Sequence, residues 1–227
     1  MEVVKTKELF KDYIVNKIAI NALRGVDVTI NEGEFTAIVG PSGSGKSTLL
    51  HIIGCLDEPT KGSVFIADKN VAGYNKKQLA FLRRENIGFI FQAYNLIPVL
   101  TVMENVSFPL TLLGESAKII KEKTMEAIKS VGLEGLEKRK PKELSGGQQQ
   151  RVAIARALIK KPKLILADEP TANIDSKMGS EILELMLKLN QTEKSTFIFS
   201  THDKMVMDYA RRLVILRDGI IIEDKTK

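Results

Sequence analysis

The chain has 227 residues, of which 44% are hydrophobic and 27% charged, and its formal net charge is +6. This composition is that of an ordinary soluble globular protein and excludes a low-complexity chain. The longest apolar runs are strand-sized and the N-terminus is charged, so the sequence predicts neither a membrane span nor a signal peptide. The single cysteine, Cys55, cannot form an internal disulfide, and we expect it in the core of a cytoplasmic protein.

The positive charge leaves two interpretations open. Either lysines on exposed faces are simply solvated, or the surface favours anionic partners such as nucleotides or the cytoplasmic face of a membrane. The basic clusters 138–140 and 160–161 are too short to be nucleic-acid-binding arms, and we expect no nucleic acid partner.

The first third of the chain is typical of strands separated by turns. Residues 3–9, 26–30 and 64–66 alternate in polarity or are β-branched, which favours strands. Residues 35–39 form a continuous apolar run typical of a buried strand, and a helix is predicted directly after it at 46–56.

The middle of the chain is predicted to be mostly helical. After a strand at 87–91, Thr101 and the glutamate three residues later have the spacing of a capping box that opens a helix. Residues 116–131 place apolar side chains on one helical face and are followed by a glycine stop signal. With one further helix, this makes a helical block from about residue 93 to residue 160.

The last third alternates between strands and helices again. Strands are predicted at 164–167, 196–200 and 213–216, and a helix at 176–190. Alternation of apolar strands with helices predicts an α/β fold with a parallel sheet, into which the helical block is inserted.

The run GPSGSGKST has the pattern G-x-x-x-x-G-K-[ST] and lies between an apolar strand and a helix, as a phosphate-binding loop does. Its glycines let backbone N–H groups and the helix N-terminus surround a phosphate chain. Lys46 is expected to reach the β- and γ-phosphates, and the Ser47 hydroxyl can bind Mg²⁺. A flexible Gly–Ser turn is the alternative interpretation. The predicted nucleotide-binding residues of this loop are Gly40, Pro41, Ser42, Gly43, Ser44, Gly45, Lys46, Ser47 and Thr48.

Four further polar residues follow apolar strands. Asp168 is suited to the Mg²⁺ shell, and Glu169 to polarising a water that attacks the γ-phosphate. Gln92 follows the run IGFIF, and His202 follows TFIFST. Taken singly, paired acids are common in turns, a strand-end glutamine usually has no function, and a strand-end histidine can cap a loop. Because a parallel sheet presents its ligand site at the carboxyl ends of its strands, we expect all four beside the phosphate loop.

The run LSGGQQQR supports two interpretations. Ser145 and Gln148 have the spacing of a capping box, but Gly146 and Gly147 then occupy the first helical turn, where glycine costs up to about 1 kcal/mol relative to alanine. The glycines and the serine hydroxyl could instead form a second anion site at a helix N-terminus. One nucleotide in the phosphate loop leaves little room for this site within one subunit. Two copies arranged head to tail could present it across an interface.

In this order, the motifs resemble those of the nucleotide-binding subunit of ATP-binding cassette (ABC) transporters, over essentially the whole chain. LSGGQ ahead of the strand that ends in Asp-Glu is the specific feature, since phosphate loops and Mg²⁺ carboxylates occur in many nucleoside triphosphatases. The resemblance implies an α/β P-loop fold with a mixed or parallel sheet core, an N-terminal antiparallel β subdomain and an inserted helical subdomain. It implies one ABC ATPase domain over 1–227, with a nucleotide-binding core at 1–92 and 161–227 and a helical subdomain at 93–160.

The same resemblance implies a role for each site residue. Two subunits are expected to enclose two ATP molecules, the phosphate loop of one facing LSGGQ of the other. In this arrangement, Tyr13 stacks on adenine, Gln92 senses Mg²⁺, Glu169 is the general base and His202 contacts the γ-phosphate. Asp175 corresponds to the D-loop aspartate of the nucleotide site. The implied Mg²⁺ ligands are Ser47, Gln92 and Asp168, and the implied contacts to the opposing ATP are Ser145, Gly146, Gly147 and Gln148. The run Ala172-Asn173-Ile174-Asp175 departs from the commoner Ser- or Gly-Ala-Leu-Asp.

Three longer stretches resemble a narrower group, that of lipoprotein-release, macrolide-export and antimicrobial-peptide-efflux ATPases. They are HIIGCLDEPTKG, IGFIFQAYNLIPVLTVMENVSFPL and LSGGQQQRVAIARAL. The resemblance implies an ATPase on the inner face of the cell membrane that powers export through a separate permease, docked near residues 93–104.

Two other functions are weighed against this one. A non-transport ABC ATPase acting on DNA would carry a long coiled coil before LSGGQ, where this chain has only about fifty residues, and one acting on ribosomes would carry two cassettes. A P-loop kinase would leave LSGGQ and His202 without a role.

Overall fold

The computed structural model describes residues 1–16 and 18–227, which form two β-sheets and seven α-helices. The strands are β1 Glu2–Val15, β2 Ile18–Asn31, β3 Phe35–Val39, β4 Lys61–Ile66, β5 Lys69–Asn70, β6 Ile87–Ile90, β7 Leu164–Asp168, β8 Thr196–Thr201, β9 Arg212–Arg217 and β10 Ile220–Thr226. The helices are α1 Lys46–Ile53, α2 Lys76–Asn86, α3 Val102–Leu113, α4 Ala117–Ser130, α5 Gly146–Leu158, α6 Ser176–Glu193 and α7 Lys204–Tyr209, with a 3₁₀ turn at Pro141–Glu143.

The larger sheet has six strands in the order β10-β9-β3-β8-β7-β6. All neighbouring pairs are parallel except β10 with β9. Every residue of β3 and β8 is buried, as is expected for strands covered by helices on both faces of a parallel sheet. The sequence predicted both strands, and burial of β3 confirms that residues 35–39 form a buried strand.

The smaller sheet has four strands in the order β2-β1-β4-β5. It is antiparallel throughout, and the long β1 pairs with both β2 and β4. One face is apolar and packs in the same core cluster as Leu49 and Ile52 of α1. This face explains the alternation seen in the first third of the sequence. Cys55 lies in that cluster, 3% exposed, and burial raises the pKa of its thiol to about 11.

Helices α3, α4 and α5 lie between β6 and β7 in the chain and pack on one another. The predicted capping box at Thr101 is confirmed, because Thr101 and Glu104 exchange side-chain and backbone hydrogen bonds. Ser116 caps α4, whose end is followed by Gly132 at φ +70°. No helix in the described residues is both long and apolar enough to cross a bilayer.

Three features of the fold differ from the sequence prediction. Helix α1 ends at Ile53, three residues early, and the backbone leaves the helical conformation at Cys55, whose φ is +55°. Helix α2 was not predicted, since only Leu79 and Leu82 of its eleven residues are buried and no apolar stripe is visible. Strand β10 is an exposed edge strand without apolar alternation, so main-chain pairing with β9 defines it instead.

Candidate functional site

The carboxyl ends of β3, β7 and β8 bring four of the predicted site residues to one edge of the larger sheet: Ser47, Asp168, Glu169 and His202. Ser47, in the first turn of α1, has its hydroxyl 3.2 Å from Oδ1 of Asp168 at the end of β7. His202 follows β8, and its Nδ1 lies 2.7 Å from Oε1 of Glu169. Parallel pairing of these strands is what aligns their ends, so the predicted convergence follows from the sheet itself.

Two glycines of the phosphate loop are required by close approach of the backbone. A Cβ on Gly40 would lie 2.0 Å from the carbonyl oxygen of Leu216 in β9. Gly45 has φ +103°, and a Cβ there would lie 2.5 Å from the carbonyl oxygen of Ala22 in β2. The loop is therefore held between β9 and β2 in a conformation that other residues resist.

Helix α1 begins differently from the other helices. In the described chain, each of the other six α-helices has a side chain that accepts a hydrogen bond from its first turn, whereas Gly45 before α1 offers none. The hydroxyl of Ser44 is also buried without a partner among the described residues. Free N–H groups and an unused hydroxyl at a helix N-terminus form a site for an anion.

The charge of Lys46 points to the same conclusion. Its side chain is largely buried, at 6% exposure. Its ammonium donates to the carbonyl oxygens of Gly40 and Pro41 at 2.8 and 2.9 Å, and the described residues supply no carboxylate partner. A buried cation without a counter-ion is costly, and bound phosphate would supply the missing charge.

The oxygens of Ser47 and Asp168 fit a Mg²⁺ ion. Hydroxyl and carboxylate oxygens are its preferred ligands, and Mg²⁺ is commonly held by one or two carboxylates with phosphate oxygens and water. Across the described residues, no cluster of three or more acidic, histidine or cysteine side chains could hold a metal alone. The donor set thus suits a metal that is bound together with phosphates.

Glu169 stands in an unusual backbone conformation. Its φ is +46°, in the left-handed region, and its side chain is 15% exposed. The side chain of His202 is 71% exposed. A largely exposed imidazole is therefore paired with a largely buried carboxylate beside the predicted metal ligands.

Tyr13 lies on β1 next to the first turns of α1. Its hydroxyl donates to Oδ2 of Asp57 at 2.7 Å and lies near the Thr48 side chain. Burial raises the pKa of the Tyr13 phenol, and the hydrogen bond to Asp57 raises it further. The Nζ atom of Lys11 lies 4.8 Å from the centre of the ring. Contacts with Asp57 and Lys11 thus hold the aromatic ring beside Thr48, the last residue of the phosphate loop.

The LSGGQ segment begins α5 with the predicted capping box. Gln148 accepts from the N–H of Ser145 at 2.9 Å and donates its own N–H to the Ser145 hydroxyl at 3.3 Å. Gly147 has a reason within the subunit that sequence reasoning missed, since a Cβ there would lie 2.5 Å from Sδ of Met178 in α6. At Gly146 the nearest atom to a Cβ would be the Tyr94 hydroxyl oxygen, at 3.0 Å. The two glycines are therefore not equivalent.

Asp175, the predicted D-loop aspartate, and Asn173 both make hydrogen bonds within the subunit. The Asp175 carboxylate caps α6 by accepting from the N–H of Met178 at 3.0 Å. Asn173 donates its side-chain amide to the carbonyl oxygen of Gln92 at 2.8 Å, and its own carbonyl accepts from the Tyr94 hydroxyl at 3.2 Å. Asn173, which replaces the commoner alanine of this motif, thus connects the segment after β7 to the segment after β6 by hydrogen bonds.

Arg156 of α5 supports the same segment, and the sequence did not single it out. It donates to the carbonyl oxygens of Tyr94 and Asn95 at 2.8 and 2.6 Å. Both of those residues have positive φ, 59° and 49°, a conformation that needs such support. The position of Arg156 within the apolar run VAIARAL was the available signal, because a cation there needs partners.

The uncapped helix after a glycine-rich loop, the lysine within that loop and the hydroxyl–carboxylate pair define a P-loop nucleoside triphosphatase. The sequence profile of the family described as "ABC transporter" matches residues 23–172. The chain belongs to the ABC transporter family, as the sequence resemblance predicted.

Similar proteins place it within that family. An uncharacterized ABC transporter ATP-binding protein, MJ0796 of Methanocaldococcus jannaschii, is 47% identical over 95% of this chain and 94% of its own. A structure of MJ0796 matches with a TM-score of 0.91 at 45% identity, covers 98% of both chains, and is described as a dimeric post-hydrolysis state bound to ADP and Pi. This match confirms the predicted fold class.

Two further relatives carry functional names. The lipoprotein-releasing system ATP-binding protein LolD of Legionella pneumophila (strain Lens) is 42% identical over 96% of each chain. The macrolide export ATP-binding/permease protein MacB of Mannheimia succiniciproducens is 45% identical over all of this chain but only 35% of its own length. The predicted resemblance to the lipoprotein-release and macrolide-export group agrees with both.

Proposed function

We propose that the chain is the ATP-binding and ATP-hydrolysing subunit of an ABC transporter that powers export through a separate membrane permease. The observation that carries the proposal is the uncapped start of α1, with buried Lys46 unneutralised and the pair Ser47–Asp168 adjacent. The names of LolD and MacB support export as the direction of transport.

Each side chain has a part in the hydrolysis of ATP to ADP and phosphate. The loop 40–48 binds the phosphate chain, and Tyr13 stacks on the adenine. Ser47, Gln92 and Asp168 would hold Mg²⁺, which when bound neutralises charge on the phosphates. Glu169 orients the attacking water and accepts its proton, and His202 contacts the γ-phosphate.

The full site requires two subunits. We assign Ser145, Gly146, Gly147 and Gln148 to the γ-phosphate of ATP held by a second copy, in a head-to-tail dimer. The dimeric state of MJ0796 supports this assignment. The core, 1–92 and 161–227, would then carry the phosphate loop, and the helical subdomain, 93–160, would carry the segment offered to the partner.

The rate of hydrolysis should depend on the square of the protein concentration at low concentration, because each site is completed by a second molecule. Phosphate release from the purified chain with ATP and Mg²⁺, measured over a wide range of protein concentration, tests this. A rate strictly proportional to concentration throughout would contradict the dimeric site, while no phosphate release at any concentration would contradict the enzymatic function.

A groove beside the segment after β6 is the proposed docking surface for the permease. It has a volume of about 490 Å³ and lies between α2, β6, α3 and α5. Leu56 and Leu112 line it and are 46% and 52% exposed. Asn95, which also lines it, belongs to the predicted docking segment 93–104, in which Val99 is 70% exposed. An apolar patch of this kind marks an interaction site. Four cations also line the groove, namely Arg83, Arg84, Arg156 and Lys160.

Lys160, like Arg156, is held at this surface by two backbone carbonyl oxygens. It donates to the carbonyl oxygens of Arg83 and Arg84 at the end of α2, at 2.9 and 2.6 Å. Burial lowers the pKa of Lys160 to about 8. The basic rim and apolar floor suit an amphipathic cytoplasmic segment of a permease with acidic side chains. Such docking would hold the chain at the inner face of the cell membrane.

Replacing Leu112 with glutamate is expected to abolish association with the permease and leave the ATPase activity of the isolated chain within about twofold, because exposed surface changes rarely perturb the fold. Met125, 40% exposed on α4 and outside the groove, supplies the matched control Met125→Glu. Copurification from detergent-solubilised membranes, after coexpression with a candidate permease from the same genome, is the measurement. Equal recovery with both variants would contradict the assigned surface.

The alternative of a DNA- or ribosome-acting ABC ATPase finds no feature in its favour. Between Gln92 and Ser145 the described chain has two α-helices of 12 and 14 residues and one 3₁₀ turn. These helices pack into the core of the subunit, and neither extends away from it as a coiled coil would.

A further inference from the structure

Glu169 is held by three consecutive residues at the end of β8. Its N–H donates to the carbonyl oxygen of Ser200 at 2.9 Å. One carboxylate oxygen, Oε1, lies 2.7 Å from Nδ1 of His202. The other, Oε2, accepts a hydrogen bond from the hydroxyl of Thr201 at 3.1 Å. Both oxygens of this carboxylate are therefore oriented from one neighbouring strand.

The hydroxyl of Thr201 can donate only towards Glu169. It accepts the backbone N–H of Asp203 at 3.0 Å, which leaves its single proton for the carboxylate. Asp203 is fixed in turn, because its carboxylate caps α7 at Met205 and accepts from the hydroxyl of Thr171 at 2.7 Å. The direction of the hydrogen bond is thus set by surrounding backbone.

Thr201 and His202 differ in freedom of movement. The side chain of His202 is 71% exposed, whereas Thr201 is fully buried, with a branched side chain opposite Val39 in the pairing of β8 with β3. A β-branched side chain in a strand has few accessible rotamers. If His202 turns to a γ-phosphate, Oε1 of Glu169 becomes free for water, and Thr201 remains as the support of Oε2.

We propose that Thr201 is the positioning residue that keeps Glu169 aimed at the attacking water after His202 has moved to the nucleotide. The inference rests on the proposed role of Glu169 as general base. The left-handed backbone conformation of Glu169 supports this proposal, because a strained residue keeps its conformation only where its surroundings hold it from several sides.

The pair Thr201→Val and Thr201→Ser tests the hydroxyl at nearly constant shape. We expect Thr201→Val to lower kcat by roughly 10- to 100-fold with KM for ATP within about twofold, because a misplaced base slows chemistry and not binding. Thr201→Ser keeps the hydroxyl and should restore kcat to within about threefold of the original. A kcat for Thr201→Val within twofold of the original, or an equal loss in both variants, would overturn the inference.

A double-mutant cycle separates positioning of Glu169 from a general effect on the fold. In a Glu169→Gln background, Thr201→Val should change the residual rate by less than about twofold, because the base through which Thr201 acts is already disabled. The same loss in both backgrounds would show that Thr201 acts elsewhere. If Glu169→Gln itself leaves hydrolysis unchanged, the proposed function of Glu169 fails; if only Thr201→Val is silent, the inference fails alone.

Discussion

Replacing Glu169 with glutamine is expected to lower the rate of ATP hydrolysis by about 100- to 10,000-fold, the range attributed to a general base. The amide has nearly the same shape as the carboxylate but cannot accept a proton from water. Its oxygen can still accept from the Thr201 hydroxyl, so the side chain should stay in place. The loop 40–48 is untouched, and ATP affinity should change by less than about threefold.

The measurement has two parts, a turnover assay and gel filtration with ATP and Mg²⁺. Because ATP would no longer be hydrolysed, the dimer should not dissociate, and the variant should elute as a stable dimer with ATP and as a monomer without it. Glu126 on the exposed face of α4 supplies a matched control, since Glu126→Gln removes the same charge away from the site. A persistent monomer with ATP would contradict the head-to-tail assembly, and full turnover would contradict the role of Glu169.

The part of the site that lies on the sheet could be predicted because its signals are local. Residues 164–167 are all apolar and residues 35–39 are apolar except for Thr36, which predicts strands buried on both faces. Polar residues at the ends of such parallel strands must then meet at one edge of the sheet. The structure brings Ser47 close to Asp168 and Glu169 close to His202, as this reasoning requires. Short-range patterning and the parallel topology together were sufficient.

The parts that could not be predicted depend on contacts between distant segments. Thr201 is one threonine in an apolar strand, and only the pairing of β8 with β7 shows that its hydroxyl faces Glu169. The role of Asn173 likewise depends on the carbonyl of Gln92, 81 residues earlier in the chain. Hydrogen bonds of this kind have no periodicity, and without a pattern the sequence carries no signal for them.

The glycines of LSGGQ show how a structure can divide one sequence motif into two functions. From the sequence, both were interpreted as leaving room for a phosphate on a second subunit. In the structure, Gly147 is buried and a Cβ there would lie 2.5 to 2.9 Å from three side-chain atoms of Met178. Gly146 is partly exposed, and its nearest neighbour is the end of the Tyr94 side chain. We therefore expect substitutions at the two positions to fail in different ways.

Replacing Gly147 with leucine is expected to lower the free energy of unfolding by about 1–3 kcal/mol or more, the usual effect of overpacking, since α5 and α6 must separate to admit it. Replacing Gly146 with leucine should change the free energy of unfolding by less than about 1 kcal/mol, because leucine favours the helix and the Tyr94 side chain can move. Thermal or urea unfolding of the isolated subunits measures both. The double variant Gly147→Ala/Met178→Ala should recover stability lost in Gly147→Ala.

Gly146→Leu should impair function although it leaves the fold stable. Gly146→Leu should bind ATP as a monomer with unchanged affinity but lower hydrolysis by about 100-fold or more, because its side chain covers N–H donors needed by the opposing γ-phosphate. The sharpest test is to mix this variant with a Lys46→Ala subunit. One of the two sites of the mixed dimer then combines an intact phosphate loop with an intact LSGGQ segment. In a head-to-tail dimer that site lies between Lys46 of the Gly146→Leu subunit and Gly146 of the Lys46→Ala subunit, and hydrolysis should partly return. If each site lay within one subunit, neither chain would contain a complete site, and mixing would restore nothing.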